Sequence, residues 1–166
     1  MMVLVKKLGW VIVGFLLFGV VLAQMFLAGL RYERLVYLRV VDGDTFWVRN
    51  TRDGSEWKVR LWEVDAPELG KCYGKQAKLV LEKQLESTKL TFERYGFDGY
   101  GRILAKVFVG EVDLQERLIR LGAVKADNSQ KVHDDLKPAK AYFERLKVIE
   151  DAARKEGVGL WSGKCE

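Results

Sequence analysis

From Leu8 to Leu30 the chain reads LGWVIVGFLLFGVVLAQMFLAGL, 23 residues without a charge. This block limits the fold more than any other feature. As a helix it would rise about 34 Å, enough to cross the ~30 Å hydrocarbon core of a bilayer. Its backbone polar groups would then be satisfied internally. Uniform apolarity argues against a surface helix, and the 136 residues that follow are too few to wrap a buried one. Lys6 and Lys7 ahead of it form a basic start, and Val21-Leu22-Ala23 would serve as a signal-cleavage site. The apolar run continues from Met25 to Leu30, which favours a retained transmembrane anchor over cleavage. The expectation is therefore a membrane-targeting segment over residues 1–30 with the domain held on the extracytoplasmic side. Secretion after cleavage is the alternative.

This partition changes the meaning of the charge. The whole chain carries +5, but beyond residue 30 the balance is 26 Lys+Arg against 23 Asp+Glu, or +3. Such a balance permits a polyanionic partner without requiring one, so any basic surface must come from local clustering. Two cysteines exclude a disulfide-dense mini-protein. One histidine and two distant cysteines offer no structural zinc spacing.

The remainder is organised by turn signals and changes of period. LVYLRVV (35–41) and TFWVRN (45–50) are β-rich segments separated by Asp42-Gly43-Asp44. A second turn over 50–55 leads to EWKVRLWEV. There Trp57, Val59 and Leu61 alternate with Lys58, Arg60, Trp62 and Val64, which predicts a strand. From Tyr73 to Leu85 the period becomes helical, with Ala77, Leu79, Val80, Leu81 and Leu85 as the apolar stripe and Lys75, Lys78, Glu82 and Lys83 toward water. Strands resume at about 89–95 and 102–109. Asp113 is placed to cap a short helix with Leu114, Leu118 and Leu121 inward, ended by Gly122. A last helix from about Pro138 to Glu156 presents Ala139, Tyr142, Phe143, Leu146, Ile149 and Ala153 on one face. Three strands, a helix, two strands and two helices, without a repeated βαβ unit, favour a small closed barrel with helices packed against it.

Acidic residues fall where strands end rather than on helix surfaces. Asp42 and Asp44 lie in VVDGDT, and Asp65 and Glu68 lie in VDAPE. The glycine between Asp42 and Asp44 would let the chain turn tightly there. Carboxylates gathered from separate strand ends repel unless a proton or cation intervenes, and oxygen ligands suit a hard divalent cation. Arg60 precedes VDAPE and Arg102 follows the YGFDGYG turn. Two guanidiniums beside carboxylates match the needs of a phosphodiester, with arginine gripping phosphate oxygens and Glu68 taking a proton from attacking water. Taken singly, each of these residues has an ordinary structural use, as a turn cap for the acids or a surface ion pair for the arginines. The joint pattern carries the reading.

VVDGDTFWV, VRLWEVDAPE, YGKQAK, DGYGRILAKVFV, VDLQERLIRLGAVKA and GLWS together make the chain resemble the staphylococcal nuclease, or thermonuclease, family over residues 36–163. The resemblance implies a mainly β fold with helices, a five-stranded OB-fold-like barrel with three helices. It also implies calcium-dependent endonuclease activity on DNA and RNA, cutting the phosphorus to 5′-oxygen bond and leaving 3′-phosphates. Asp44 and Asp65 match the family's calcium carboxylates, Ala66 would add its backbone carbonyl, and Asp42 would hold bound water beside the ion. Glu68 falls on the catalytic glutamate, and Arg60 and Arg102 fall on the phosphate-clamping arginines. Tyr100 would meet a base or terminal phosphate. Apart from the resemblance, Lys71, Lys75 and Lys78 cluster near the start of the first helix, either as a solvated face or as a group that attracts the substrate backbone.

There are departures. Gly99 stands where relatives often carry a phosphate-contacting lysine, and the loop after VDAPE is short. Both bear on substrate preference rather than on the proposed metal ligands. A nonenzymatic nucleic-acid-binding or protein-binding barrel on an anchor is the competing reading. The expected catalytic domain is monomeric.

Smaller features add three expectations. An extracytoplasmic location would allow a bridge between Cys72 and Cys165, with two unrelated thiols as the alternative. His133 reads as a solvated loop residue. Trp47, Trp57 and Trp62 are expected to pack in or against the core, with stacking on nucleic-acid bases as the alternative.

Overall fold

The computed structural model describes Gly19 and residues 35–86, 89–129 and 137–164. The chain divides into units 1–34 and 35–166, and the strands and helices that form the fold belong to the second. The expected anchor over residues 8–30, His133 and Cys165 lie outside the described residues, apart from Gly19. Among the described residues no helix is long and apolar enough to cross a membrane.

Strands β1 (Leu35–Val40), β2 (Thr45–Asn50) and β3 (Glu56–Leu61) form an antiparallel meander, followed by the two-residue β4 (Val64–Asp65). Helix α1 (Gly74–Leu85) leads into β5 (Leu90–Phe97) and β6 (Ile103–Val109). Then come β7 (Val112–Asp113), α2 (Leu114–Arg120), β8 (Lys125–Ala126), α3 (Lys137–Glu156) and a 3₁₀ turn at Gly159–Trp161. The main sheet has the order β1-β2-β3-β6-β5, with β7 added to β6, and β4 pairs β8 separately. β3 and β6 run parallel, Val59 opposite Ile103 and Leu61 opposite Ala105, so the sheet is mixed. These strands and three helices fit an OB-like β fold. The pairings leave β1 and β5 as the two ends of the sheet, where the sequence predicts closure into a barrel.

Burial follows the two periods with instructive exceptions. Phe46, Val48, Val59, Leu61, Ile103, Ala105 and Val107 build the sheet's inner face. The clean alternation expected for β3 is not observed: Glu56, Trp57 and Lys58 are all exposed, whereas Val59, Arg60 and Leu61 are all buried, as are Trp62 and Val64 after them. In α1 the buried residues are Gly74, Ala77, Leu81 and Leu85. Leu79, expected on that stripe, is exposed, since it lies two positions from both Ala77 and Leu81 and so falls off their face. In α2 Leu114 and Leu118 are buried as expected and Ile119 joins them, whereas the expected Leu121 faces out beyond the last turn. Asp113 does cap α2, accepting the Glu116 N–H at 3.1 Å.

Two buried polar groups tie the helices to the strands. Gln115 of α2 donates to Ala105 O at 3.1 Å and Trp62 O at 3.4 Å, and accepts from Val107 N at 3.1 Å. Trp62 in turn stacks between Tyr95 of β5 and Tyr142 of α3, with centroid separations of 3.9 and 5.9 Å. Glu150 of α3, 1% exposed, accepts the Ala126 N–H at 3.0 Å and is gripped by Lys147 and Arg154. Because β8 pairs β4, this carboxylate on α3 indirectly sets the place of Asp65.

Burial opposes ionisation of Glu150, yet Arg154, the Ala126 N–H and Lys147 outweigh it and hold the carboxyl below its ordinary 4.5. A depressed folded-state pKa favours folding above the unfolded value and loses that contribution as pH falls through the folded one. Glu150→Gln should cost roughly 2 kcal/mol at neutral pH. In urea unfolding the gap between variant and parent should narrow as pH drops below about 4.5. A gap independent of pH would contradict this assignment.

Candidate active site

The site lies where the β1–β2 turn, the end of β3 and the segment after β4 meet. Asp44 is buried beside the first residue of β2. Its Oδ1 accepts from Thr45 Oγ1 at 2.9 Å, and its Oδ2 accepts the Ala66 N–H at 2.8 Å. Arg60 Nη1 approaches the same Oδ2 at 2.9 Å. Thr45 and Arg60 are direct cross-strand partners, so the register of β2 against β3 creates this contact. Asp42 accepts the Asp44 N–H at 3.2 Å, which folds the turn back on itself.

Arg60 is held from several sides. Nη1 also donates to Val64 O at 2.8 Å and Leu61 O at 3.2 Å, while Nη2 reaches Asp65 Oδ1 at 3.3 Å. The guanidinium is thus fixed by backbone carbonyls as well as by charge. The other oxygen of Asp65 pairs with Lys125 at 3.3 Å. Exposed ion pairs such as Arg49–Glu56 contribute about 0–1 kcal/mol. Breaking a buried pair such as Arg60–Asp44 by removing one partner costs roughly 3–5 kcal/mol, because the other charge is left uncompensated.

Arg102 arrives from the β5–β6 turn. Asp98 Oδ1 accepts the backbone N–H groups of both Tyr100 and Arg102 at 2.9 Å, and Oδ2 accepts Arg102 Nε at 2.6 Å. Burial works against the Asp98 anion, but these Arg102 and Tyr100 donors prevail and hold its carboxyl below the usual range. Arg102 Nη1 then lies 3.5 Å from Thr45 Oγ1. A chain of contacts therefore runs from Arg102 through Thr45 and Asp44 to Arg60. Tyr100 is 87% exposed, with the Arg102 guanidinium 5.3 Å from its ring centroid.

The expected residues separate into two groups. Asp42, Asp44, Arg60, Asp65, Ala66 and Arg102 are brought together. Glu68, Lys71 and Lys75 are exposed and make no hydrogen bond or ion pair to that cluster among the described residues. Cys72 is disulfide-bonded, with Sγ 3.9 Å from Lys164 O. Its expected partner Cys165 lies outside the described residues. Of the tryptophans expected to pack in or against the core, Trp62 is buried and Trp47 is half-buried beneath Arg39 and Lys58, but Trp57 is exposed, leaning on the exposed Phe97 at 6.2 Å.

Thr45, Asp98 and Lys125 are functional neighbours that the sequence analysis does not single out. A turn signature is present for Asp98, since in Asp98-x-Tyr100 a carboxylate can accept an N–H two residues on. No local pattern points to Lys125, whose place depends on the β4–β8 pairing.

As a cation site, the cluster offers the right chemistry. The side chains of Asp44, Asp65 and Asp42 and the Ala66 carbonyl supply only hard oxygen donors, suited to calcium with water completing its shell. Burial is the main force pushing the Asp44 carboxyl well above its usual range; Arg60 opposes this and the Asp42 charge adds to it. A bound cation would relieve this cost of holding a buried carboxylate ionised. Among the described residues no three carboxylate, histidine or cysteine groups already converge as a complete ligand set. A cation would rely on two carboxylates plus backbone oxygen and water.

Gly43 and Gly74 let these segments close up. A Cβ on Gly43 would lie 2.6 Å from Ala66 Cβ and 2.7 Å from Ala77 Cβ. Its value is the missing side chain; among the described residues it is not one of those with positive φ, so the tight-turn role expected from sequence is not the operative one. A Cβ on Gly74 would strike the Glu68 carbonyl oxygen. Gly43→Ala should therefore push Ala66 from Asp44 and lower stability by about 1–3 kcal/mol in urea denaturation. Unchanged stability would mean that the three segments separate freely.

Comparison with known proteins identifies relatives of this chain. The family model described as "Staphylococcal nuclease homologue" matches residues 58–163. The chain is 32% identical over 133 residues to a thermonuclease of Staphylococcus hyicus, covering 75% of this chain and 73% of that protein. It is 29% identical over 129 residues to an uncharacterised endonuclease of Escherichia coli, covering 75% and 74%. A thermonuclease of Staphylococcus intermedius is 36% identical over 104 residues, covering 58% and 61%. The chain belongs to the staphylococcal nuclease family.

Proposed function

We propose that this protein is a calcium-dependent endonuclease that hydrolyses phosphodiester bonds of DNA and RNA. The observation carrying the reading is the continuous set of contacts Arg102–Thr45–Asp44–Arg60, which places two guanidiniums around a buried carboxylate. Arginines held apart in this way can take different oxygens of one phosphate group, and neither needs to reorganise as negative charge grows on that phosphate. The names of the thermonuclease and endonuclease relatives support the same activity.

The division of labour follows from environment. Arg60, its Nη1 face anchored by Val64 and Leu61 carbonyls, is a fixed donor. Arg102 is steered by Asp98, a positioning residue that itself does not reach the Thr45–Asp44 pair. Glu68, exposed and two residues beyond Ala66 in the chain, would accept a proton from an attacking water. Water adds to phosphorus, its proton passes to Glu68, the bond from phosphorus to the 5′ oxygen breaks, and that oxygen takes a proton from solvent, leaving a 3′-phosphate and a 5′-hydroxyl. Asp44, Asp65 and the Ala66 carbonyl would hold calcium, with Asp42 ordering its water. When bound, that ion supplies fixed positive charge that polarises the phosphate and offsets charge in the transition state. The uncharged stretch 8–30 supports, from sequence, an anchored extracytoplasmic protein.

Purified protein should cleave single-stranded DNA and RNA with calcium and stop when the ion is chelated. Glu68→Gln and Arg102→Gln should each lower turnover by at least about 100-fold, in the range typical for loss of a proton acceptor or charge-stabilising donor. Products should carry 3′-phosphates, read by their resistance to 3′ extension until dephosphorylated. Binding of nucleic acid without chelator-sensitive cleavage would instead identify a nonenzymatic binding domain.

A further inference from the structure

The phosphate clamp does not end at Arg60. Thr45 and Arg60 form one row across β2 and β3, and the next row is Arg39, Trp47 and Lys58 across β1, β2 and β3. Because side chains two residues apart share a face, both rows point to the side of the sheet opposite Phe46 and Val48. Trp47 is half-buried, with the Arg39 guanidinium 4.8 Å and the Lys58 ammonium 5.2 Å from its ring centroid. Arg39 and Lys58 are exposed, and Lys58 has no acidic partner among the described residues. One row further, Glu56 pairs with Arg49 at 2.7 Å and approaches Arg39 at 3.9 Å, which closes the basic strip.

We infer that this row is a binding subsite for the nucleotide next to the cleaved phosphate, and that it selects unpaired polynucleotide. The inference rests on the nuclease reading for its neighbour but on separate residues for its content. Adjacent rows are about 7 Å apart along β2, roughly the reach of one extended nucleotide. An aromatic ring flanked by cations is the chemistry that single-stranded nucleic acid uses, with base stacked on ring and phosphate on charge. Lys58 has a long flexible stem and shifts from the ring to a phosphate when a base arrives. A duplex base, already stacked on both faces, cannot take this place. Trp47 thereby gains a use beyond packing, and Glu56 sets the far limit of the strip.

Fluorescence anisotropy tests the subsite without requiring turnover. Labelled dithymidylate and octathymidylate are titrated with full-length protein in chelator, so that failure of the nuclease reading leaves this measurement intact. The parent protein should prefer the longer strand. Trp47→Ala should weaken octathymidylate binding by about tenfold, within the range for loss of one base stack. Dithymidylate binding should change less than about twofold, and Trp47→Phe should restore most of the difference. Lys58→Gln, at an exposed position where folding is not at risk, should reduce the slope of log affinity against log salt by about 0.7 for the longer strand. Equal weakening on both strands, or none on either, would overturn the subsite, as would an unchanged salt slope for Lys58→Gln.

Discussion

The buried pair between Arg60 and Asp44 is the constraint on which this molecule is arranged. Neither charge is tolerable there alone, since isolating either in a water-poor site costs far more than an exposed pair returns. Each is therefore supplied with further partners. Asp44 receives Thr45 and the Ala66 N–H, and Arg60 gives hydrogens to Val64 and Leu61. Those partners come from the β1–β2 turn, the end of β3 and the segment around β4. Satisfying the pair brings together the loops that a phosphodiester would meet.

Support for this arrangement arrives from distant parts of the chain. Glu150 on α3 fixes Ala126 in β8, β8 pairs β4, and β4 carries Asp65 against Arg60. Gln115 on α2 binds Ala105 and Val107 of β6 together with Trp62, setting the strand that follows Arg102. The helices thus act on the site through backbone groups, each satisfied by one buried side chain. Gly43 and Gly74 complete the fit by leaving space where a methyl group would collide.

Local signals in the chain account for much of the fold. The turn residues at 42–44 and 50–55 and the change of period at Tyr73 locate the early strands and the first helix, and Asp113 marks the cap of the second. The exceptions have physical reasons. Leu79 and Leu121 are apolar but sit off the buried faces, where hydrophobicity alone does not decide burial. Arg60 lies in a strand as its alternation predicts, yet its burial depends on β4 and β8, whose two-residue pairing has no period to read. Lys125 escapes sequence reasoning on the same ground. Gly43 reads as a residue needed for conformational freedom, whereas its need is for space, a property of three-dimensional neighbours. For Asp98 the local turn signal is present in the sequence, but only the structure ties it to Arg102.

If the Asp44–Arg60 cluster is a calcium site, a single ion is held through Asp44 and Asp65. Calorimetric titration of full-length protein with calcium measures this without reliance on turnover. One ion should bind per chain, and Asp44→Asn, titrated at a temperature where circular dichroism shows it folded despite the broken pair, should abolish that binding. No saturable binding by the parent, or equal binding by Asp44→Asn, would rule out this calcium site.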